Sequence, residues 1–168
     1  MKTIHTGLKN MVGDAVFDKA GKYRYSLSRI WNAKGAKAAF VMLNPSKADA
    51  TLNDPTITRC IGFAEKMGCG SLEVVNLFAY RTAYPKELRV CASPIGKLND
   101  QYISAAVETA NFVVVAWGNW GQLHGRDQEV LQLVASKSPV FCFGITGKGH
   151  PRHPLFLSYE VDLIELPR

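Results

Sequence analysis

The stretch FVMLNPSKADATLNDPT, from Phe40 to Thr56, decides how this chain is read. Ala38 to Leu43 (AAFVML) is a continuous apolar run, as a strand buried on both faces should be, and it stops at Asn44-Pro45. Asp49, Asn53 and Asp54 come within the next ten residues. Asp54-Pro55 then predicts a helix start, with Asp54 as N-cap and Pro55 at the first helical position. Ile57, Cys60, Ile61 and Ala64 repeat at helical spacing, and Gly68 ends that helix. A buried strand, a loop of amides and carboxylates and a capped helix make the opening unit of an α/β fold.

The same rhythm runs outward in both directions. Tyr23 to Trp31 (YRYSLSRIW) alternates like an antiparallel edge strand. Leu72 to Phe78 is the next buried strand, with AYRTAYP as its loop. Leu98 to Thr109 is a helix, Phe112 to Trp117 a strand that stops at Gly118, and Arg126 to Ser136 another helix. Val140 to Ile145 is a fourth buried strand, and Val161 to Leu166 a closing one. Alternation of this kind predicts a parallel sheet with helices on both faces. The expected architecture is α/β, a three-layer α/β/α with a central, mostly parallel four-stranded sheet plus antiparallel edge strands. At 168 residues the chain reads as one domain, 1–168, with the order of residues 1–22 left open.

Composition excludes several classes. The apolar share of 47% and charged share of 20% are those of a soluble globular protein. Apolar runs such as Phe112 to Trp117 are strand-sized, far short of the ~20 residues of a membrane helix. MKTIHTGLKN carries no apolar core of a secretory signal, so a cytoplasmic location and no membrane partner are expected. The four cysteines form no C-x-x-C pair, which argues against a zinc or iron–sulfur site. No metal and no cofactor are expected. A net charge of +6 favours a polyanionic partner, although no lysine/arginine run exists. GITGKGH lacks the spacing and the downstream helix of a phosphate-binding P-loop.

In an open α/β sheet, ligands bind beyond the carboxyl ends of the strands. The four buried strands here run out into Asn44-Pro45-Ser46, Asn76 through Arg81, WGNWG (117–121) and Thr146 through Pro154. Asparagine, aromatic, glycine and histidine residues therefore gather on one predicted rim.

From Tyr23 to Leu157 the chain carries the motifs R-Y-x-L-x-R-x-W, M-L-N-P-S-x-A-D, N-D-P-T-I-x-R-C, V-V-N-L-F-A-x-R, A-W-G and P-R-H-P-L. On these the chain resembles a bacterial and phage family known as domain of unknown function 1643. More distantly, the order of motifs is similar to the uracil-DNA glycosylase superfamily. Asn44-Pro45-Ser46 resembles its turn after the first core strand, and Asn76 in VVNLF its base-reading asparagine. VVVAWGNWGQ resembles its strand ending in W-G, and His153 through Ser158 its late histidine-proline loop. N-P-S has no aspartate where the best-known branch has its water-activating one, so Asn44 resembles branches that use asparagine there. This second resemblance implies a glycosylase-like fold and a site on the carboxyl rim.

Breaking a base–sugar bond builds positive charge on the sugar and negative charge on the departing base. The resemblance implies that Asn44 holds the water and His153 stabilises the base anion, while Asp49 or Asp54 offers a carboxylate as general base. Asn76 can accept and donate at once, which suits a base edge. Phe78 or Tyr80 would stack on the base, and Pro45, Ser46 and Gly118 would border it. Arg81, Arg126, Lys148 and Arg152 would form an anion-binding edge.

Each residue also has a structural reading. Asn44 can simply end a strand before proline, and Asp54 can serve as an N-cap. Asp49 and Asn53 can be loop residues, and Phe78, Tyr80 and Trp117 can be packing. A lone amide inside an apolar strand, as Asn76 is, needs partners if buried. Three functions are open: a glycosylase-type enzyme acting on a nucleic acid or nucleotide, a catalytically silent module binding a nucleotide or modified base, and a hydrolase of small nucleosides using Asp49 or Asp54. If neither aspartate faces the site, only an amide-type mechanism survives.

Overall fold

The computed structural model describes residues 2–6, 9–137 and 139–167. Among the described residues eight strands form one mixed sheet: β1 (Lys2–Thr6), β2 (Lys9–Phe17), β3 (Arg24–Ile30), β4 (Ala36–Met42), β5 (Cys69–Asn76), β6 (Phe112–Val115), β7 (Phe141–Cys142) and β8 (Ile164–Glu165). Their order is β1-β2-β3-β5-β4-β6-β7-β8. The four strands β5, β4, β6 and β7 pair in parallel, and the remaining pairs are antiparallel. The α-helices among the described residues are α1 (Pro55–Lys66), α2 (Glu87–Val90), α3 (Asn99–Thr109) and α4 (Arg126–Val134).

The apolar run predicted as a doubly buried strand is β4. Its residues divide by parity between two cores. Phe40 and Met42 join Ile57, Cys60 and Phe63 of α1, while Ala39 and Val41 join Ile103 and Val107 of α3 and Val130 of α4. Burying side chains of this size stabilises the fold by roughly 1.5–3 kcal/mol each before entropy is counted. The central strand therefore has no face left for polar residues until Asn44.

The connections position the rim. From β4 the chain crosses over α1 to β5 on one side, and then returns past β4 to β6. With crossovers of one hand, reversing direction puts the connecting helices on opposite faces. That is where α1 and α3 lie. The loops leaving β4 and β6 consequently diverge and leave a crevice between them.

Two parts of the fold depart from the expectation. β1 and β2 lie ahead of the first predicted strand and extend the sheet edge by an antiparallel hairpin. Gly13 and Asp14 in mid-strand, both weak strand formers, hid β2 from a reading by apolar alternation. Of residues 1–22, whose order the sequence leaves open, residues 1, 7 and 8 lie outside the described residues. At the other edge, the expected strand to Ile145 is only Phe141–Cys142, since Gly144 has φ 98° and turns the chain away. No helix among the described residues is long and apolar enough to cross a membrane.

Two arginines of β3 are buried beneath the loop after β4. Arg29 is wholly buried and donates from Nε to Asn53 Oδ1 at 2.9 Å and from Nη2 to the carbonyls of Asp49 and Leu52 at 2.5 and 3.1 Å. Arg24 donates from Nη1 to Ala48 O at 3.1 Å. Burial lowers the Arg24 guanidinium to about 10, opposed by the nearby Asp54 carboxylate, so it stays charged at neutral pH. A bulge in the β2–β3 pairing, where Phe17 pairs with Arg24 directly after Val16 with Ser26, carries Arg24 and Arg29 to the same loop despite their odd spacing. Replacing Arg29 by Leu removes its hydrogen bonds to the carbonyls of Ser28, Asp49 and Leu52 and to Asn53 Oδ1. The expected loss is about 3 kcal/mol or more in unfolding free energy. Urea denaturation should show it as a lower midpoint at nearly unchanged slope.

Candidate functional site

The crevice is a cavity of about 620 Å³, and Asn44, Ser46, Asp54, Gly118 and His153 are all on its wall. They reach it from three separate loops, after β4, β6 and β7. Thr82, Pro85, Trp117 and Trp120 complete much of the remaining lining.

Asn44 ends the β4 run with its side chain fixed. Its Nδ2 donates to Pro45 O at 3.0 Å and to Thr82 O at 2.8 Å. Both partners are carbonyls, so the amide has one orientation that satisfies them, and Oδ1 is the atom left over. Thr82 N donates in turn to Pro45 O at 3.0 Å, which ties the loop after β5 to the loop after β4. The half-buried Asn44 thus offers an acceptor held by two hydrogen bonds on its own amide.

Asp54 is the N-cap of α1, as the D-P-T pattern predicts. Its Oδ1 accepts from Ile57 N at 2.9 Å, and its Oδ2 accepts from Ala48 N at 3.4 Å. The same carboxylate lines the cavity. Asp49 has a different fate. Its Oδ1 accepts from Thr51 N and Leu52 N at 2.9 and 2.7 Å, closing a turn. Those backbone donors hold its carboxyl below the usual range, and it is not part of the cavity wall.

His153 comes from the loop after β7. That loop is built as a tight hairpin: Thr146 N donates to His150 O at 2.7 Å, and Arg152 N to Gly144 O at 2.9 Å. Gly118 N, at the end of β6, donates to Pro151 O at 2.8 Å and draws the hairpin over the crevice. Gly118 has φ 75°, so the left-handed backbone is what calls for glycine there, while an added Cβ would meet only ordinary contact. On the imidazole, Nδ1 accepts from Leu155 N at 3.2 Å. The neutral ring therefore carries its proton on Nε2. Burial pushes its pKa below the ordinary histidine value, opposed by the attraction of Asp54. His153 is a neutral Nε2–H donor at physiological pH.

The remaining sequence-derived residues lie elsewhere. Asn76 ends β5, buried and outside the cavity wall, with Oδ1 lacking a hydrogen-bond partner among the described residues. Phe78 is fully buried in the α3/α4 core and meets His124 edge-on. Tyr80 packs edge-on against Tyr23. Tyr80 and Arg81 border a neighbouring cleft of about 510 Å³, which shares Ser46, Lys47, Thr82 and Ala83 with the first. Arg81 spends two donors on Ser46 O and Gly21 O. Pro45 is buried and offers its carbonyl to Thr82 and Asn44. Arg152 is half-buried beside Gly144 and does not reach the cavity wall. Arg126 is no anion contact: it is buried, binds Leu77 O, and pairs with Asp100 and Glu129.

Trp120, Lys47 and Thr82 are wall residues that the sequence reading does not assign. Trp120 carries the Arg89 guanidinium 4.9 Å above its ring. Their signal was present, since each lies in or directly after an assigned rim motif. Gly121, at the end of the WGNWG motif, leaves room for Trp117, whose ring an added Cβ would meet at 2.1 Å. Among the described residues no group of three or more His, Cys, Asp or Glu side chains is arranged to hold a metal ion.

The fold and cavity define an α/β protein with a polar rim site made from an amide, a capped carboxylate and a neutral imidazole. The family described as "Protein of unknown function (DUF1643)" matches residues 24–155, and the chain belongs to that family. The match begins at the buried Arg24 and ends at Leu155 on the cavity wall, so it spans every residue that lines the cavity. No curated protein and no solved structure matches the chain.

The depressed His153 pKa has a pH signature. Unfolded, the ring takes up a proton near pH 6.5, whereas in the fold it does so only at lower pH. Between these two values the unfolded state binds more protons, so stability falls as pH drops through that window and is fully present above it. Unfolding free energies at several pH values from 7.5 down to 5 should decline less in His153→Gln than in the parent. Equal declines would mean that His153 is solvated.

Proposed function

We propose that the rim cavity receives a nucleobase, of a nucleotide or of nucleic acid, and that the protein hydrolyses the base–sugar bond. The observation that carries this reading is the meeting of Asn44, Asp54 and His153 in one cavity, although more than a hundred residues separate the first from the last. The similarity of motif order to the uracil-DNA glycosylase superfamily supports it, as does a positive net charge of +6. The finer architecture we infer is the three-layer, glycosylase-like one, with the parallel strands β5-β4-β6-β7 as its centre.

The chemistry assigns one task to each group. Asn44 Oδ1 accepts a hydrogen bond from a water and holds its oxygen toward the sugar C1′. The C1′–N bond breaks with its electron pair going to the base, and the water oxygen forms the new bond to C1′. His153 Nε2–H donates to the base oxygen on which negative charge collects. The water's proton finally resides on the released base. Asp54, on the same wall, opposes the positive charge that develops on the sugar. This is an amide-type mechanism: both Asp54 oxygens accept backbone hydrogen bonds, and Asp49 is off the wall.

That same engagement of the carboxylate favours a second reading, a silent module that binds a nucleotide or modified base without cleaving it. One set of assays separates the two. Single- and double-stranded oligonucleotides carrying uracil, hypoxanthine, xanthine or modified pyrimidines are incubated with the protein, and free base is quantified. Release is expected from at least one substrate, and should drop by roughly 100-fold or more in Asn44→Ala and in His153→Ala. Asp54→Asn keeps the helix cap but removes the charge beside the buried Arg24 and the acceptor for Ala48 N, so it should both slow release and lower the melting temperature. Binding with no release from any substrate establishes the silent module.

A further inference from the structure

Two large apolar side chains stand in solvent at the lips of the cavity. Phe156 is 90% exposed and comes directly after Leu155 of the wall. Tyr84 is 61% exposed and lies between Ala83 and Pro85, both wall residues. Phe156 is also held at φ 68°, a left-handed conformation that a bulky residue rarely adopts. The turn that holds it is closed by Leu157 N donating to Pro154 O at 3.1 Å, with Leu157 buried beneath. Backbone strain of this kind persists only where the surroundings impose it, and here the imposed result is a phenyl ring pointed into water.

The charges around these lips form a pattern of their own. The cleft beside Arg81 joins the cavity through Ser46, Lys47, Thr82 and Ala83, and a smaller one of about 280 Å³ joins it on the other side through Asn119 and Trp120. The three make one groove. Lys22, Lys47 and Arg81 line one arm, Arg89 and Lys148 the other. Asp54, at the centre, is the only acidic side chain among the described residues on the walls of the three clefts. Among the described residues none of the five cations is within ion-pair distance of a carboxylate.

Cations along both arms, exposed aromatic rings at the lips and a pocket between them match an unpaired strand. Phosphates track the cations while successive bases stack on aromatic faces. A base can enter the central cavity only out of its stack, and a strand with no partner has no pairing to lose. Resting on the base-binding reading above, we propose that the substrate is a nucleotide within a single-stranded polynucleotide, with the neighbouring bases stacked on Phe156 and Tyr84.

The test compares fluorescence-anisotropy titrations of a short labelled single strand, the duplex of the same sequence and competing free mononucleotides. The single strand should bind at least tenfold more tightly than either the duplex or a mononucleotide, and its affinity should fall steeply with salt. Phe156→Gly and Tyr84→Ala should each weaken single-strand binding about tenfold or more and leave mononucleotide binding unchanged. Phe156→Gly should meanwhile melt no lower than the parent, because glycine adopts the left-handed backbone without strain. Unchanged single-strand affinity in both variants overturns the proposal. Mononucleotide binding with no gain from a longer strand overturns it too, and leaves the base-binding cavity standing. Binding of neither takes the cavity reading down with it.

Discussion

Buried guanidinium groups set the shape of the functional end of this protein. Arg24 and Arg29 project from an edge-side strand into the space under the loop after β4, where they meet backbone carbonyls rather than carboxylates. A buried charge needs a full set of hydrogen bonds. A loop that lacks regular structure has carbonyls in need of donors. Arg29 and the loop meet each other's needs, while Arg24 gives the loop one hydrogen bond and keeps its Nε without a partner among the described residues; together they tie residues 48–53 down ahead of Asp54 at the start of α1. The tie between Asn44 and Thr82 works in the same way on the other side of that loop.

The crevice itself owes nothing to these details. It arises from strand order, because a chain that crosses to one side of β4 and returns on the other must part its loops there. The loops contribute chemistry: an amide with one atom free, an imidazole with a fixed tautomer, and a carboxylate already committed to a helix. Along the cleft walls, among the described residues, positive charge lies outward on both arms and the one carboxylate, Asp54, at the centre. An anionic polymer would therefore be held by its flanks while the developing cation of a sugar sits over the middle. The motif order and this charge arrangement favour the same class of substrate.

Much of the central sheet could be read from the sequence because buried parallel strands write themselves as uninterrupted apolar runs. β4, β5 and β6 fall where AAFVML, EVVN and FVVV lie. The D-P-T cap placed α1 to within a residue at its start. β1 and β2 escaped notice because pairing with each other and, for β2, with β3, rather than apolar periodicity, makes them strands. Candidate residues such as Asn44, just after a strand end, and Asp54, at the start of α1, were legible as rim positions because topology fixes both addresses. Phe78 and Asn76 were not, since a residue on a predicted rim can point into a core as easily as into a cavity. Parity along the strand, which decides between these, depends on register that no local pattern prints. Arg126 shows the same limit: a cation after a rim motif turned inward to satisfy Leu77 O and two carboxylates.

Asp54 answers to two equilibria at once, helix formation and whatever occupies the cavity. Selection for an ordered α1 alone would keep an acidic or amide side chain at this position, whether or not a relative retains any chemistry. The aspartate is thus a marker of the fold. Asn44 Oδ1 and His153 Nε2 spend no hydrogen bond on the described residues, and the architecture does not depend on them. The same two side chains still serve the fold through their other atoms, Asn44 Nδ2 on Pro45 O and Thr82 O and His153 Nδ1 on Leu155 N, so each presents one free atom on a structurally anchored group.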